Sequence, residues 1–233
     1  MPDFGQRSRV PELMDTESIG FEDFRACLVD LAQVNLLTLA HRPTLAYLRR
    51  LTAEADGPLH IVDVGSGHGD MLRAVEAWAA REGIALHLTG LDINPWSARA
   101  AREAGGRTSR IDWVTADLFA WAPSRPIDVV ISSLFTHHLD DLALVRFLGW
   151  METTARRGWF VNDLLRHSLA YHGFSALARL ARWHRFVRHD GPVSVSRAFT
   201  RGDWRAFLGE ARIEGARLES WFPYRLCVAR ERL

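Results

Sequence analysis

The chain has 233 residues, 48% of them hydrophobic, and a formal charge of +1. That length and apolar share suit one α/β domain with a small appendage and a substantial core, and so balanced a charge provides no global field to steer nucleic acid. Two cysteines, Cys27 and Cys227, exclude a disulfide framework and any C-x-x-C zinc or redox pattern. The opening residues lack an apolar signal core and no run approaches bilayer-spanning length, so a soluble, cytoplasmic protein with no integral membrane segment is expected.

In chain order, Phe24, Leu28, Leu31, Val34 and Leu37 fall on one stripe of a helix, and Pro43 opens a second, shorter helix carrying Leu45, Leu48 and Leu51. Short apolar strands then alternate with helical spacing. Strands are expected over His60–Val64, Leu86–Asp92, Ile111–Trp113, Ile127–Ser132 and Gly158–Asn162. Helices are expected over Met71–Ala80, Trp96–Ala104 and Asp141–Met151. Such alternation predicts a parallel sheet covered on both faces, with ligands gathered beyond the carboxyl ends of its strands. The rhythm breaks after Asp163, where Leu164–Val187 reads as helix, with Leu169, Phe174, Leu177, Leu180, Trp183 and Phe186 apolar and Arg179, Arg182, Arg185 and Arg188 forming a basic, solvated face. A further helix spans Asp203–Ala211. The strands Ala216–Trp221 and Arg225–Ala229, parted by Pro223-Tyr224, predict an antiparallel hairpin at the sheet edge.

The most informative segment is Val62-Asp63-Val64-Gly65-Ser66-Gly67-His68-Gly69-Asp70, a β-branched strand entering a glycine turn that permits close approach of backbone to ligand. Its G-x-G-x-G spacing departs from the G-x-G-x-x-G of dinucleotide folds, which disfavours a pyrophosphate and hence a nicotinamide oxidoreductase. Asp63 can accept from a loop amide or a ligand ammonium, and His68 neighbours the cofactor. Asp92 closes the second strand, placed to take both hydroxyl hydrogens of a ribose, with Ile93 beside an adenine. Asp117 follows the third strand and either accepts an adenine amino hydrogen, with Leu118 or Phe119 against the ring, or caps a helix.

With these motifs in this order, residues 59–162 resemble the class I S-adenosylmethionine-dependent methyltransferases, in particular the small-molecule ubiquinone-biosynthesis-like family. The resemblance implies a Rossmann-like, seven-stranded, mostly parallel sheet with a terminal antiparallel strand, N-terminal helices and a helical lid-like insertion. It implies S-adenosylmethionine as cofactor and S-adenosylhomocysteine as product, with Val62 through Gly69 as the first cofactor motif, Asp92 as the ribose acid and Ala116–Phe119 on the adenine side. The chain then divides into an N-terminal helical cap, 1–56, and a methyltransferase domain, 57–233, whose residues 164–200 form a substrate lid.

The segment Ile131–Leu139 follows the fourth strand and puts Ser133 beside the donor, Phe135 on the route of an apolar acceptor, and His137 and His138 within reach of an acceptor hydroxyl. Either imidazole can act as base; His138 is preferred because His137 lies closer to the strand exit, where it shapes the turn. Alignment alone accelerates methyl transfer, so no metal is required. Asn162, Arg166 and Tyr171 are candidate acceptor contacts, while Asp163 can orient there or cap the next helix. The reading is transfer of a methyl group to a hydroxyl of a small apolar, phenolic or polyketide-like molecule. Carbon or nitrogen methylation uses the same cradle, and a non-catalytic ligand-binding protein is the alternative from another class.

Overall fold

The structure, a computed structural model, describes residues 3–53, 57–106 and 108–232. Helix α1 (Leu13–Thr16) is a single turn, α2 (Phe21–Leu37) carries the expected stripe and α3 (His41–Thr52) the shorter one. Phe24, Leu28 and Val34 are buried, but Leu37 is 64% exposed. The stripe stops early because the chain reverses at Leu39, in the left-handed region with φ 55°, and the last turn of α2 projects outward. Pro43 lies within the first turn of α3, where its missing N–H has no intrahelical role. The boundary expected at residue 56 falls among residues 54–56, outside the described residues.

The alternating elements follow: β1 (Leu59–Val64), α4 (Asp70–Glu82), β2 (Leu86–Asp92), α5 (Pro95–Gly105), β3 (Asp112–Thr115), β4 (Val129–Ser133), α6 (Asp141–Thr154) and β5 (Gly158–Leu164). After an insertion of α7 (Ser168–Leu180) and α8 (Arg185–Arg197) come α9 (Arg201–Glu210) and the hairpin β6 (Arg217–Trp221) and β7 (Arg225–Glu231). One seven-stranded sheet results, ordered β3-β2-β1-β4-β5-β7-β6. Strands β1 to β5 pair in parallel, and β7 is antiparallel to both β5 and β6. The Rossmann-like fold expected from the sequence is therefore present, terminal hairpin included.

Every residue of β1 is buried, as a strand covered on both faces requires. On one face Ile61 and Phe160 pack with Tyr47 and Leu48 of α3 and Leu72 and Trp78 of α4. On the other Val62, Val130 and Trp159 meet Phe147 and Leu148 of α6 and Trp204 of α9. Each such side chain removed from water contributes roughly 1.5–3 kcal/mol, enough to hold the strand ends as a rigid platform.

The helical insertion consists of two helices. Arg182 takes a φ of 54° and ends the first, and this turn leaves Leu180 82% exposed. Cys27 and Val34 of α2 pack against Ala178, Trp183, Phe186 and Val187, so the N-terminal helices and the insertion form one roof. Arg179, Arg182, Arg185 and Arg188 are exposed, as a solvated face requires. The two ends of the insertion meet in a bridge between Leu165 and Phe199. Among the described residues no helix is long and apolar enough to cross a membrane.

Candidate functional site

The carboxyl ends of the strands open into a cavity of about 890 Å³, roofed by α1, α2, α7 and α8. Of the residues singled out in the sequence, Asp63, Gly65, Ser66, Gly67, His68, Asp92, Ile93, Asp117, Leu118, Phe119, Ser133, Phe135, His137 and His138 all line it. Gly69, Asn162, Arg166 and Tyr171 do not.

At the glycine turn, Gly65 has φ +71°, and an added Cβ would meet the Phe135 ring at 2.4 Å, so backbone and ring close on each other. Gly69 caps α4 with φ +73° and lies beneath Trp113, where a Cβ would stand 2.1 Å from the indole. It shapes the turn instead of lining the cavity. Arg73 donates to the His68 carbonyl (2.6 Å) and contacts its Nδ1 (3.1 Å), and burial together with that cation lowers the imidazole pKa.

Asp63, 2% exposed, has an Oδ1 with no hydrogen-bond partner. Burial, with Asp70 and Asp92 nearby, pushes its carboxyl well above the usual range. Asp92 accepts from the Gly67 N–H through Oδ2 (2.8 Å) and from the Asn94 N–H through Oδ1 (2.9 Å). The Ser97 side chain also hydrogen-bonds this carboxylate, which leaves one lone pair toward a ligand. Burial raises its pKa despite those bonds. Asp117 is exposed and accepts from the Phe119 N–H (2.9 Å), a turn contact with no helix following. Arg146 covers one face of Phe119, 3.7 Å from the ring centroid.

The opposite end is built on Asp163, 0% exposed at the close of β5. Its carboxylate accepts from the Thr136 hydroxyl, the His137 N–H (3.1 Å), His137 Nδ1 (2.7 Å) and the Leu164 N–H (2.7 Å). Burial alone would raise its pKa, but the charge and hydrogen bonds it receives hold it well below the usual carboxylate range. Asp163 is thus the partner of His137 and caps no helix; α7 starts at Ser168, capped by His167. His137 is 2% exposed, and the His138 side chain 31%. Nδ1 of His138 lies 3.2 Å from Asp15 Oδ2. Burial would lower the His138 imidazole, yet Asp15 and Glu12 outweigh it and raise the pKa. Arg7 and Arg197 donate to the His137 carbonyl (2.9 and 3.1 Å) and pin the turn.

Three expected acceptor contacts are placed elsewhere. Asn162 is fully buried on the α3 face and donates to the Ala40 carbonyl (2.7 Å) and Thr44 hydroxyl (3.1 Å), tying α3 to the sheet. Strand alternation accounts for this: Asn162 and Asp163 necessarily leave β5 on opposite faces. Arg166 staples the base of the insertion, donating to the carbonyls of Phe4 (3.0 Å) and Ala198 (2.8 Å) and pairing with Asp203 (2.9 Å). Tyr171 sets its ring edge to face against Phe4, at 5.5 Å.

Sequence reasoning missed Glu12, Asp15 and Arg225. The two acids lie more than a hundred residues from the histidines they meet, so no local spacing could have revealed them. Arg225, 2% exposed at the start of β7, lines the cavity with its guanidinium on Asn162 Oδ1 (3.3 Å) and Thr38 Oγ1 (3.4 Å). No carboxylate among the described residues pairs with it.

A sheet of this order, with a glycine turn after β1 and an acid ending β2, is the architecture of a class I methyltransferase. A family profile described as a methyltransferase domain matches residues 38–211, and the chain belongs to that family. Trans-aconitate 2-methyltransferase of Azoarcus sp. (strain BH72) is 32% identical over 158 residues, covering 67% of this chain and 51% of that protein. The Mycobacterium ulcerans (strain Agy99) protein of the same name is 28% identical over 165 residues, 70% of this chain and 58% of that one. The chain therefore spans little more than half the length of these curated relatives. Among solved structures, human N-acetylserotonin methyltransferase in complex with S-adenosylmethionine superposes with a TM-score of 0.64 at 17% identity, over 91% of this chain and 56% of that one. Magnesium protoporphyrin IX methyltransferase from Synechocystis PCC 6803 with bound S-adenosylmethionine gives 0.58 at 16% identity, over 93% and 92%. At these identities the likeness is one of fold.

Class I methyltransferases use S-adenosylmethionine as methyl donor, and the cavity of this chain fits that donor on its own terms. The donor carries an ammonium and a sulfonium, and the cavity wall holds Asp63, Asp70 and Asp92 with Arg225 as its one arginine. The unpartnered Asp63 Oδ1 is an acceptor with no donor, and the side-chain-free turn at Gly65 lets a ligand approach the backbone.

Proposed function

We propose that this domain methylates a hydroxyl on a small, largely apolar acceptor, phenolic or polyketide-like. The order of Gly65, Asp92 and Asp117 supports a place near the ubiquinone-biosynthesis-like branch. Bound S-adenosylmethionine supplies the electrophilic methyl. In this reading Asp63 receives the donor ammonium, the turn from Gly65 to Gly67 follows its methionyl part with His68 and Ser133 alongside, and Asp92 receives the ribose hydroxyls. Asp117 takes the adenine amino group, with Ile93, Leu118 and Phe119 against the ring. Phe135, packed edge to face on Phe147 at 5.5 Å, parts the donor end from the acceptor end and orients what enters.

One observation carries the acceptor assignment: the histidine pair, oriented by Asp163 and Asp15, faces a compartment walled by Leu28, Leu31, Phe174, Phe186 and Val187. An apolar acceptor fills that compartment and presents its hydroxyl to the imidazoles, where His138, the more open of the two, receives the proton. The same compartment disfavours a multiply charged acid such as the one that names the trans-aconitate relatives. Glu12, Asp15 and Asp190 line the cavity, against Arg225 as the one arginine among its described lining residues.

The test is incubation of the protein with methyl-labelled donor and metabolite fractions, followed by mass spectrometry of the labelled product. A methyl on a phenolic or aliphatic oxygen is expected. A methyl on carbon or nitrogen, or on a carboxylate, overturns the hydroxyl assignment, and calorimetry showing no donor binding to folded protein overturns the whole reading.

A further inference from the structure

We propose that Glu12, His137 and His138 form a divalent transition-metal site of the two-histidine, one-carboxylate kind, open to the acceptor end of the cavity. The inference deepens the acceptor reading above and rests on it for the site's use, though not for its existence.

His137 directs Nδ1 at Asp163 Oδ1 (2.7 Å) and His138 directs Nδ1 at Asp15 Oδ2 (3.2 Å). A carboxylate on Nδ1 fixes the proton there and leaves Nε2 as a lone-pair donor, the arrangement that orients histidine ligands in metal sites. Both Nε2 atoms then face one carboxyl group: His137 Nε2 is 3.7 Å from Glu12 Oε1, and His138 Nε2 is 3.8 Å from Glu12 Oε2. These separations are too long for hydrogen bonds. Lone-pair donors aimed at one another repel unless a proton or a metal cation lies between them. All three ligand atoms fit within 4.8 Å of one another. Two ligand atoms ~2.1 Å from a tetrahedral ion stand ~3.4 Å apart, so the three groups must draw inward to complete the site.

The surroundings are rigid. Glu12 is 5% exposed and accepts from the Ser194 hydroxyl (2.8 Å), and Arg7 and Arg197 bind carbonyl oxygens of the histidine turn and do not engage the Nε2 atoms. Imidazole nitrogen with carboxylate oxygen selects zinc and its first-row neighbours over magnesium or calcium. Three protein ligands leave a fourth position open, and here it opens toward the apolar compartment, as in zinc sites that act on a bound oxygen. An acceptor oxygen in that position would lose its proton more readily, with metal coordination in place of the His138 lone pair.

The test is titration of the chelator-stripped full chain with cobalt(II) alone, without donor or acceptor, followed by visible absorption. One cobalt(II) per chain with tetrahedral ligand-field bands, displaced by zinc(II), is expected. Glu12→Gln and His138→Ala should each weaken binding tenfold or more while donor binding, measured separately by calorimetry, stays within twofold. His138→Ala alters a partly exposed residue and keeps the test decisive if Glu12→Gln fails to fold. Absence of stoichiometric binding, or binding to both folded variants as tight as to the parent, overturns the proposal. Since no methyl donor is present, that failure leaves the methyl-transfer reading intact, and a failure of donor binding leaves the metal result intact.

Discussion

Asp63→Asn should stabilise the ligand-free protein and weaken its grip on the donor. Asp63 is buried with an unpartnered Oδ1, and its folded pKa lies well above that of the unfolded chain, ~3.9. A carboxyl with a raised folded pKa costs nothing below the unfolded value. The penalty grows as pH rises toward the folded pKa and is complete above it. Removing the charge should therefore raise Tm at neutral pH, and the gain should vanish as pH falls to about 4. An unsatisfied buried group costs roughly 1–3 kcal/mol, which sets the scale of the gain. Losing a charge-assisted bond to the donor ammonium costs about 1.5–3 kcal/mol, or about ten- to a hundredfold in Kd. Thermal melting from about pH 4 to 8, with and without S-adenosylmethionine, reads both effects: the variant starts higher and is shifted less by the donor. A lower Tm with an unchanged donor-induced shift would refute the reasoning, because it would mean that Asp63 is satisfied within the fold and faces no ligand.

Asp92→Ala removes the ribose acceptors and the anchors of Gly67 and Asn94 together, so calorimetry should show donor affinity weakened by roughly 1–3 kcal/mol in a folded protein. Gly65→Ala drives a Cβ into the Phe135 ring at positive φ, and should abolish donor binding while lowering Tm. Asn162→Ala loosens α3 from the sheet: denaturant unfolding should show a loss of ~1–3 kcal/mol, with acceptor KM unchanged. His138→Ala should cut turnover by roughly 10²-fold or more at unchanged donor Kd, and a more acidic phenol should restore part of it.

The fold was legible because its signals are local. Strand-and-helix alternation from His60 onward, the glycine turn after Asp63 and the Pro223-Tyr224 hairpin each report on neighbouring residues, and each stands where it was expected. The errors fall where chain direction is decided by one residue's conformation. Arg182 and Leu39 adopt positive φ without being glycine, and nothing in their types announces a reversal. The break within the helical Leu164–Val187 stretch and the outward turn of Leu37 at the end of its stripe therefore carry no signal in the sequence.

The site divides along the same line. The end proposed for the donor gathers Asp63, Gly65, Asp92 and Asp117 in one cavity because each sits at or just beyond a strand end, so the topology that orders the strands also orders these residues. The acceptor end was only half readable. Alternation along β5 places Trp159, Val161 and Asp163 on the α6 face and Phe160 and Asn162 on the α3 face, a period of two that already separates Asp163 from Asn162. Following that period assigns Asp163 to the histidine turn and Asn162 to packing, as observed. No period reaches Glu12 and Asp15. They arrive because Asp190 of α8 accepts from the Leu13 and Met14 N–H groups (2.8 and 3.1 Å) and caps α1, carrying the N-terminal segment over the cavity. One buried carboxylate of α8 thus determines which residues face the histidines, and the chemistry of the proposed acceptor end depends on α8 and the N-terminal segment packing together.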